Sequence, residues 1–172
     1  DETVSITLTP SKAWEGTEKE TPSGSGTETS PYQIENGAQL AWLADKVNSA
    51  STVSAIYAVL TDDIDLGGCA FTPIGKDFHE FSGVFDGKKH TVTGLNVSSV
   101  ADAGLFGVAK AATIKNVVVR GTVSGTDNAA GILAKAKTKA CTIENCGNEA
   151  TVTSAGCAGG ILGTIGTYGI SC

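Results

Sequence analysis

Thr113-Ile-Lys-Asn-Val-Val-Val-Arg-Gly-Thr-Val123 is echoed 29 residues later by Thr142-Ile-Glu-Asn-Cys-Gly-Asn-Glu-Ala-Thr-Val152. A second echo flanks the first: Gly104-Leu-Phe-Gly107 returns as Gly131-Ile-Leu-Ala134 and as Gly160-Ile-Leu-Gly163, at intervals of 27 and 29. A period in the twenties means that each unit stacks on its neighbour instead of closing a core of its own, as in a solenoid. Inside the unit the apolar residues alternate at strand spacing, as in Val117, Val119, Gly121 and Val123, and the turns are built of Gly, Asn, Ser and Thr. That pattern selects an all-β fold, a β-solenoid, over a helical or leucine-rich array.

The same alignment predicts side-chain neighbours. It lays Glu144 over Lys115 and Glu149 over Arg120, opposite charges at stacked positions on a solvent face. Asn145 falls over Asn116, as in an asparagine ladder at a coil corner. Cys146 takes the place of Val117 and reads as a small buried hydrophobe.

Composition fits a narrow coiled sheet. The 172 residues include 22 Gly and no Met, with Thr, Val, Ile and Ala abundant and aromatics few. Net charge is −6 with no basic run, which argues against nucleic acid as a partner. No stretch reaches the ~18 apolar residues that a spanning helix needs, so membrane insertion by this segment is not expected. The sequence starts at Asp1, without Met or a secretory apolar region, and reads as a mature or trimmed piece. The five cysteines, Cys69, Cys141, Cys146, Cys157 and Cys172, form no CxxC pair, which disfavours zinc. Cys141 and Cys172 both close a repeat unit, so one disulfide between them is a candidate, with free buried thiols as the alternative.

Along the chain, Val4–Thr9 alternates like an edge strand, and residues 15–31 have a Gly/Ser/Thr/Glu/Pro linker composition. Residues 1–30 therefore read as a strand plus linker, and 31–172 as the solenoid. Leu40, Leu43, Ala44 and Val47 follow helical spacing after Asn36, an N-cap residue with Gln39 at the capping-box position. This predicts one substantial helix over 37–49, placed to cover the first coil, with Trp42 at the margin of its apolar stripe. Strands are expected at Tyr57–Leu60, Ile64–Leu66, Val84–Phe85 and Thr91–Val97. No polar capping element follows the final repeat, which points to further β-helix coils or domains of the same parent chain.

A longer series of motifs carries a family resemblance. It includes Trp14-Glu-Gly16, Pro31-Tyr-Gln-Ile34, Gln39-Leu-Ala-Trp-Leu-Ala44, Leu60-Thr-Asp-Asp-Ile-Asp-Leu66, Phe71-Thr-Pro-Ile-Gly75, Phe81-Ser-Gly-Val-Phe-Asp-Gly87, His90-Thr-Val-Thr-Gly-Leu95 and Gly104-Leu-Phe-Gly107. Over roughly residues 14–172 the chain resembles bacterial secreted and cell-surface proteins with GLUG-type repeats. Related segments occur in the non-catalytic parts of immunoglobulin A1 proteases and in adhesin-like proteins. The resemblance implies a right-handed parallel β-helix, an extracellular or bacterial cell-surface location, and attachment to a larger protein. It implies no activity for this segment. Ala134 in place of a Gly, and Lys88-Lys89 where Gly-Asn is commoner, depart from the pattern at turns.

For chemistry, Asp62, Asp63, Asp65 and Asp86 are the carboxylates that a β-helical glycosidase or a calcium site would use. Turn stabilisation by Asp is the simpler reading. His79 lies in the polar loop Lys76–Glu80, and His90 follows the turn Asp86-Gly-Lys-Lys89. No HExxH, nucleophile elbow or phosphate-binding glycine loop occurs. Phe71, Phe78, Phe81 and Phe85 with Tyr57 offer either a sugar-stacking platform or core filling, and Phe78 is the best single contact residue. The expected site is thus a ligand-binding one of Phe78, His79, Asp63 and Asp65, with no catalytic residue, metal or cofactor. The expected function is a non-catalytic extracellular module for adhesion or presentation, binding a glycan or host protein. The alternative is an accessory substrate-binding domain of a larger secreted protease or polysaccharide-degrading enzyme.

Overall fold

The computed structural model describes residues 13–137 and 140–166. Its strands stack in parallel, coil on coil. On one face β1 (Tyr32–Ile34) pairs with β2 (Ile56–Leu60) and β2 with β4 (Phe81–Asp86). The stack continues through the second half of β6 (Phe106–Lys115) to β9 (Thr142–Glu144). On a second face β3 (Ile64–Asp65), β5 (Thr91–Ala103) and β7 (Val118–Ala130) follow one another. The short strands β10 (Gly147–Asn148), β11 (Thr151–Ser154) and β12 (Cys157–Gly159) then all lie along β7. On the third, the start of β6 pairs with β8 (Leu133–Ala136) and β8 with β13 (Leu162–Ile165).

Side chains therefore run in columns. Ala58, Phe85, Ile114 and Ile143 stand above one another, as do Val97, Val123 and Val152, and Phe106, Leu133 and Leu162. In these columns an inward apolar residue meets another from the coil below, so each added coil buries the face of the last. A small residue beside a large one keeps the width constant: Ala58 sits under Phe85, and Phe106 packs 5.0 Å from Phe81 and 5.2 Å from Phe85. The repeat expected from Gly-Leu-Phe-Gly is thus the third stack, and Thr-Ile-Lys-Asn is the first.

The predicted helix is α1 (Gly37–Ser49), with Leu40, Leu43, Ala44 and Val47 buried. Asn36 Oδ1 accepts from the Gln39 N–H at 2.9 Å, closing the cap. The Gln39 side chain accepts from the Glu35 N–H, one residue earlier than in the standard box. Trp42 is half-buried, edge-on to Tyr32 at 5.1 Å.

Four expectations are corrected or refined. Residues 15–31 have a linker composition but bond to the solenoid: Glu20 N donates to Ala38 O at 3.2 Å, Tyr57 N to Gly26 O at 3.0 Å, and Ser23 bridges Gln33. Such tight turns need Gly, Ser and Thr just as a linker does, so composition does not separate the two. Cys141 is a free thiol packed against the core, so the Cys141–Cys172 disulfide is not formed; Cys157 is the disulfide-bonded cysteine among those described. Lys115 does lie in register with Glu144, yet its ammonium turns back to Asp86 at 3.8 Å, where it meets a carboxylate already held in place. The aromatic platform dissolves: Phe71, Phe81 and Phe85 are buried and Tyr57 is half-buried, leaving Phe78 exposed. The Val4–Thr9 strand lies outside the described residues.

Candidate functional site

Between Ile74, which bridges Phe106, and β4 the chain makes a tight hairpin. Lys76 N donates to His79 O at 3.1 Å and His79 N to Lys76 O at 2.9 Å, leaving Asp77 and Phe78 at the tip. Phe78 has φ +69°, a left-handed conformation that costs a bulky residue roughly 1–2 kcal/mol. The residue is 79% exposed. A turn would be more stable with Gly there, and solubility would favour a polar residue.

The hairpin is held from two coils away. Lys135 Nζ lies 3.0 Å from Asp77 Oδ2, and Lys137 Nζ lies 3.4 Å from Asp77 Oδ1 and bonds Glu80 as well. Lys137 also stands 5.1 Å from the Phe78 ring centroid, within cation–π range. Glu80 Oε1 accepts from the Phe78 N–H at 3.2 Å. Burial pushes the Asp77 and Glu80 carboxyls up, but the lysine contacts outweigh it and both end below their ordinary values. Lys137 is correspondingly raised, chiefly by its bond to Glu80. His79 Nδ1 donates to the Ala50 carbonyl at 2.9 Å, tying the hairpin to the residue that ends α1.

Beside the hairpin lies a hollow of about 390 Å³ lined by Asn48, Thr72, Lys76, Asp77 and Asp102 among others. Asn48 shapes it, donating to Pro73 O at 2.9 Å and accepting from Gly75 N at 3.1 Å. The hollow adjoins a second, of about 410 Å³, that shares Asn48, Thr72 and Lys76 and extends along α1 to Trp14 and Phe71. Asp102 receives Asn128 Nδ2 at 2.7 Å, and burial pushes its carboxyl above the ordinary value.

The four expected site residues divide into two places. Phe78 and His79 share the hairpin, whereas Asp63 and Asp65 sit at the β3 corner. Asp63 Oδ1 accepts from Thr91 N at 2.8 Å and faces His90 Nδ1 at 3.3 Å, and Asp65 Oδ1 accepts from Gly67 N at 2.8 Å. These bonds serve turn and coil stacking. Asp86 carries the ladder, taking Asn116 Nδ2 at 2.9 Å, while Asn145 Nδ2 donates to Asn116 Oδ1 at 3.2 Å. Among the described residues no three His, Cys, Asp or Glu side chains gather as metal ligands.

Sequence reasoning missed Asp77, Glu80, Lys135 and Lys137. The signal was present at twice the period: Asp77 and Lys135 are 58 residues apart, and Glu80 and Lys137 are 57.

Over an alignment of 156 residues, which takes in 82% of this chain, the sequence is 31% identical to part of Halomucin from Haloquadratum walsbyi (strain DSM 16790 / HBSQ001). The chain spans about 2% of the length of that relative. No protein-family model and no solved structure matches. What the comparisons and the coordinates give together is a parallel β-solenoid segment similar to a small part of a very long protein.

Proposed function

We propose that this chain is a non-catalytic β-helical module of an extracellular surface protein, of the GLUG-repeat kind, and that it binds glycan at the Phe78 hairpin. The observation that carries the reading is the Phe78 ring itself. It is exposed, it is held in a disfavoured backbone conformation by ion pairs from two coils away, and it follows Asp77, which lines the adjoining hollow. Strain kept in place by its surroundings is characteristic of recognition sites. A fixed aromatic face beside hydroxyl, ammonium and carboxylate groups is the chemistry that sugars require, one face apolar and the rim rich in hydrogen bonds.

Support for a non-catalytic role comes from the carboxylates. Asp63, Asp65 and Asp86 are each engaged with backbone or amide donors at corners. The likeness to a short stretch of Halomucin supports a place within a much larger protein in which the coiled segment is one part.

The test is a broad glycan array probed with the chain and with Phe78→Ala. Expected is a defined set of retained glycans whose binding falls about ten-fold in the variant, as loss of ~1.4 kcal/mol of ring contact would give. Melting temperature should not fall. Absence of binding, or binding indifferent to Phe78→Ala, would remove the hairpin from the argument.

A further inference from the structure

Among the described residues, the last coil leaves one end of the solenoid without a covering strand. Ile114, Leu133 and Val123 are at most 1% exposed. Ile143, Leu162 and Val152, their partners one coil further, are only half-buried. Around them opens a cavity of about 230 Å³, with Ile161 and Ile165 on its wall, and Ile165 is 49% exposed. The backbone agrees: among the described residues β9, β11, β12 and β13 each pair on one side only. At the other end α1 and residues 13–30 pack over the first coils.

The asparagine ladder gives this face a direction. Asn116 donates to Asp86 and Asn145 donates to Asn116, so each rung donates to the coil before it and accepts from the coil after it. Asp86, which accepts but cannot donate, is the base. The open group is therefore Asn145 Oδ1, an acceptor to which no described residue donates. Glu144 stands nearby without an ion pair among the described residues, because Lys115 turns to Asp86 and Arg120 bonds Glu149.

We infer that this face is the docking surface for a further parallel β-coil, stacked at the 29-residue spacing, with an amide donor over Asn145 and a cationic residue over Glu144. The coil-on-coil contact already present four times along the first stack continues into it unchanged. A second copy of this chain does not fit. Meeting end to end about a two-fold axis, the copies would set acceptor against acceptor at Asn145 and carboxylate near carboxylate at Glu144. Meeting head to tail, the bare end would face α1. This inference is independent of the glycan site.

The test extends the full chain at its end with a copy of residues 144–166 carrying Glu144→Lys, which keeps the 29-residue spacing and sets a cation over the original Glu144. Expected is a rise in thermal midpoint of about 5 °C or more. Amide exchange in Thr142–Glu144 and Leu162–Ile165 should slow about ten-fold or more. A second extended chain carries Asn145→Asp in the appended copy only, and it should lose much of that gain. An appended coil that stays unprotected with the midpoint unchanged overturns the inference. So does equal stabilisation by both versions, or a dimer of the unextended chain that protects β9 and β13.

Discussion

Several corner residues accept a left-handed backbone for different reasons. Asn116 (φ +56°) and Asn145 (φ +50°) occupy equivalent corners, where a short amide tolerates the conformation and bonds its neighbours. Lys88 (φ +52°) and Lys89 (φ +73°) have no such excuse, and Lys88 is held by its N–H to Asp86 Oδ1 at 2.9 Å. Gly121 is obligatory in another way: at φ +145° a Cβ would fall 2.0 Å from Leu95 O. Asn116→Ala removes both ladder bonds and with them the amide that offsets the left-handed backbone, so it should cost about 2–3 kcal/mol. Asn116→Gly, which relieves the backbone, should cost about 1 kcal/mol less. Urea unfolding of the pair checks this; equal losses would mean that the backbone conformation carries no energy there.

The strands are short, and none is stable alone; the columns make them so. Val119 is fully buried and paired in register with Val92 below it and Asn148 above. A charge at that position has no partner within reach, so Val119→Asp should destabilise by about 4 kcal/mol or more and lower the melting temperature by about 10 °C. A shift of only a degree or two in calorimetry would mean that the coil interior is wet or that the register is wrong. Helix α1 works at the same scale. Its apolar stripe supplies the first coils with the neighbour that later coils receive from one another.

At the scale of the molecule, the ion-pair clasp makes stability depend on pH in a definable direction. Asp77, Glu80 and Asp86 have folded values below their ordinary 3.8, 4.5 and 3.8. Such groups stabilise fully above the ordinary value, and the contribution is lost as pH falls through the lowered one. Asp102 is raised, so it acts oppositely: its contribution is present below 3.8 and lost as pH rises through its folded value. Glu18 and Glu149 are lowered as well, and five lowered carboxylates against one raised among the described residues predict a net loss of stability on acidification from pH 5 to 2. In Lys137→Met the Glu80 carboxylate loses its cation, so the variant should be weaker at neutral pH and lose less stability in acid. Denaturant midpoints across that range read out both limbs; parallel curves would show that Lys137 does not set the acid dependence.

The solenoid, its 29-residue register, the capped helix and the Arg120–Glu149 pair (2.7 Å) were all legible in the sequence. Each depends on periodicity or on residues a few positions apart, which a linear chain displays directly. Its tertiary structure alone decided the rest. Lys115 chose Asp86 over Glu144, and the hairpin at Phe78 closed against lysines two coils away. In each case several partners lay within a side chain's reach in the stack, and only the three-dimensional arrangement of corners determined which one was met. A repeat specifies which coil lies on which, and the direction in which a long side chain leans out of that coil is settled by packing.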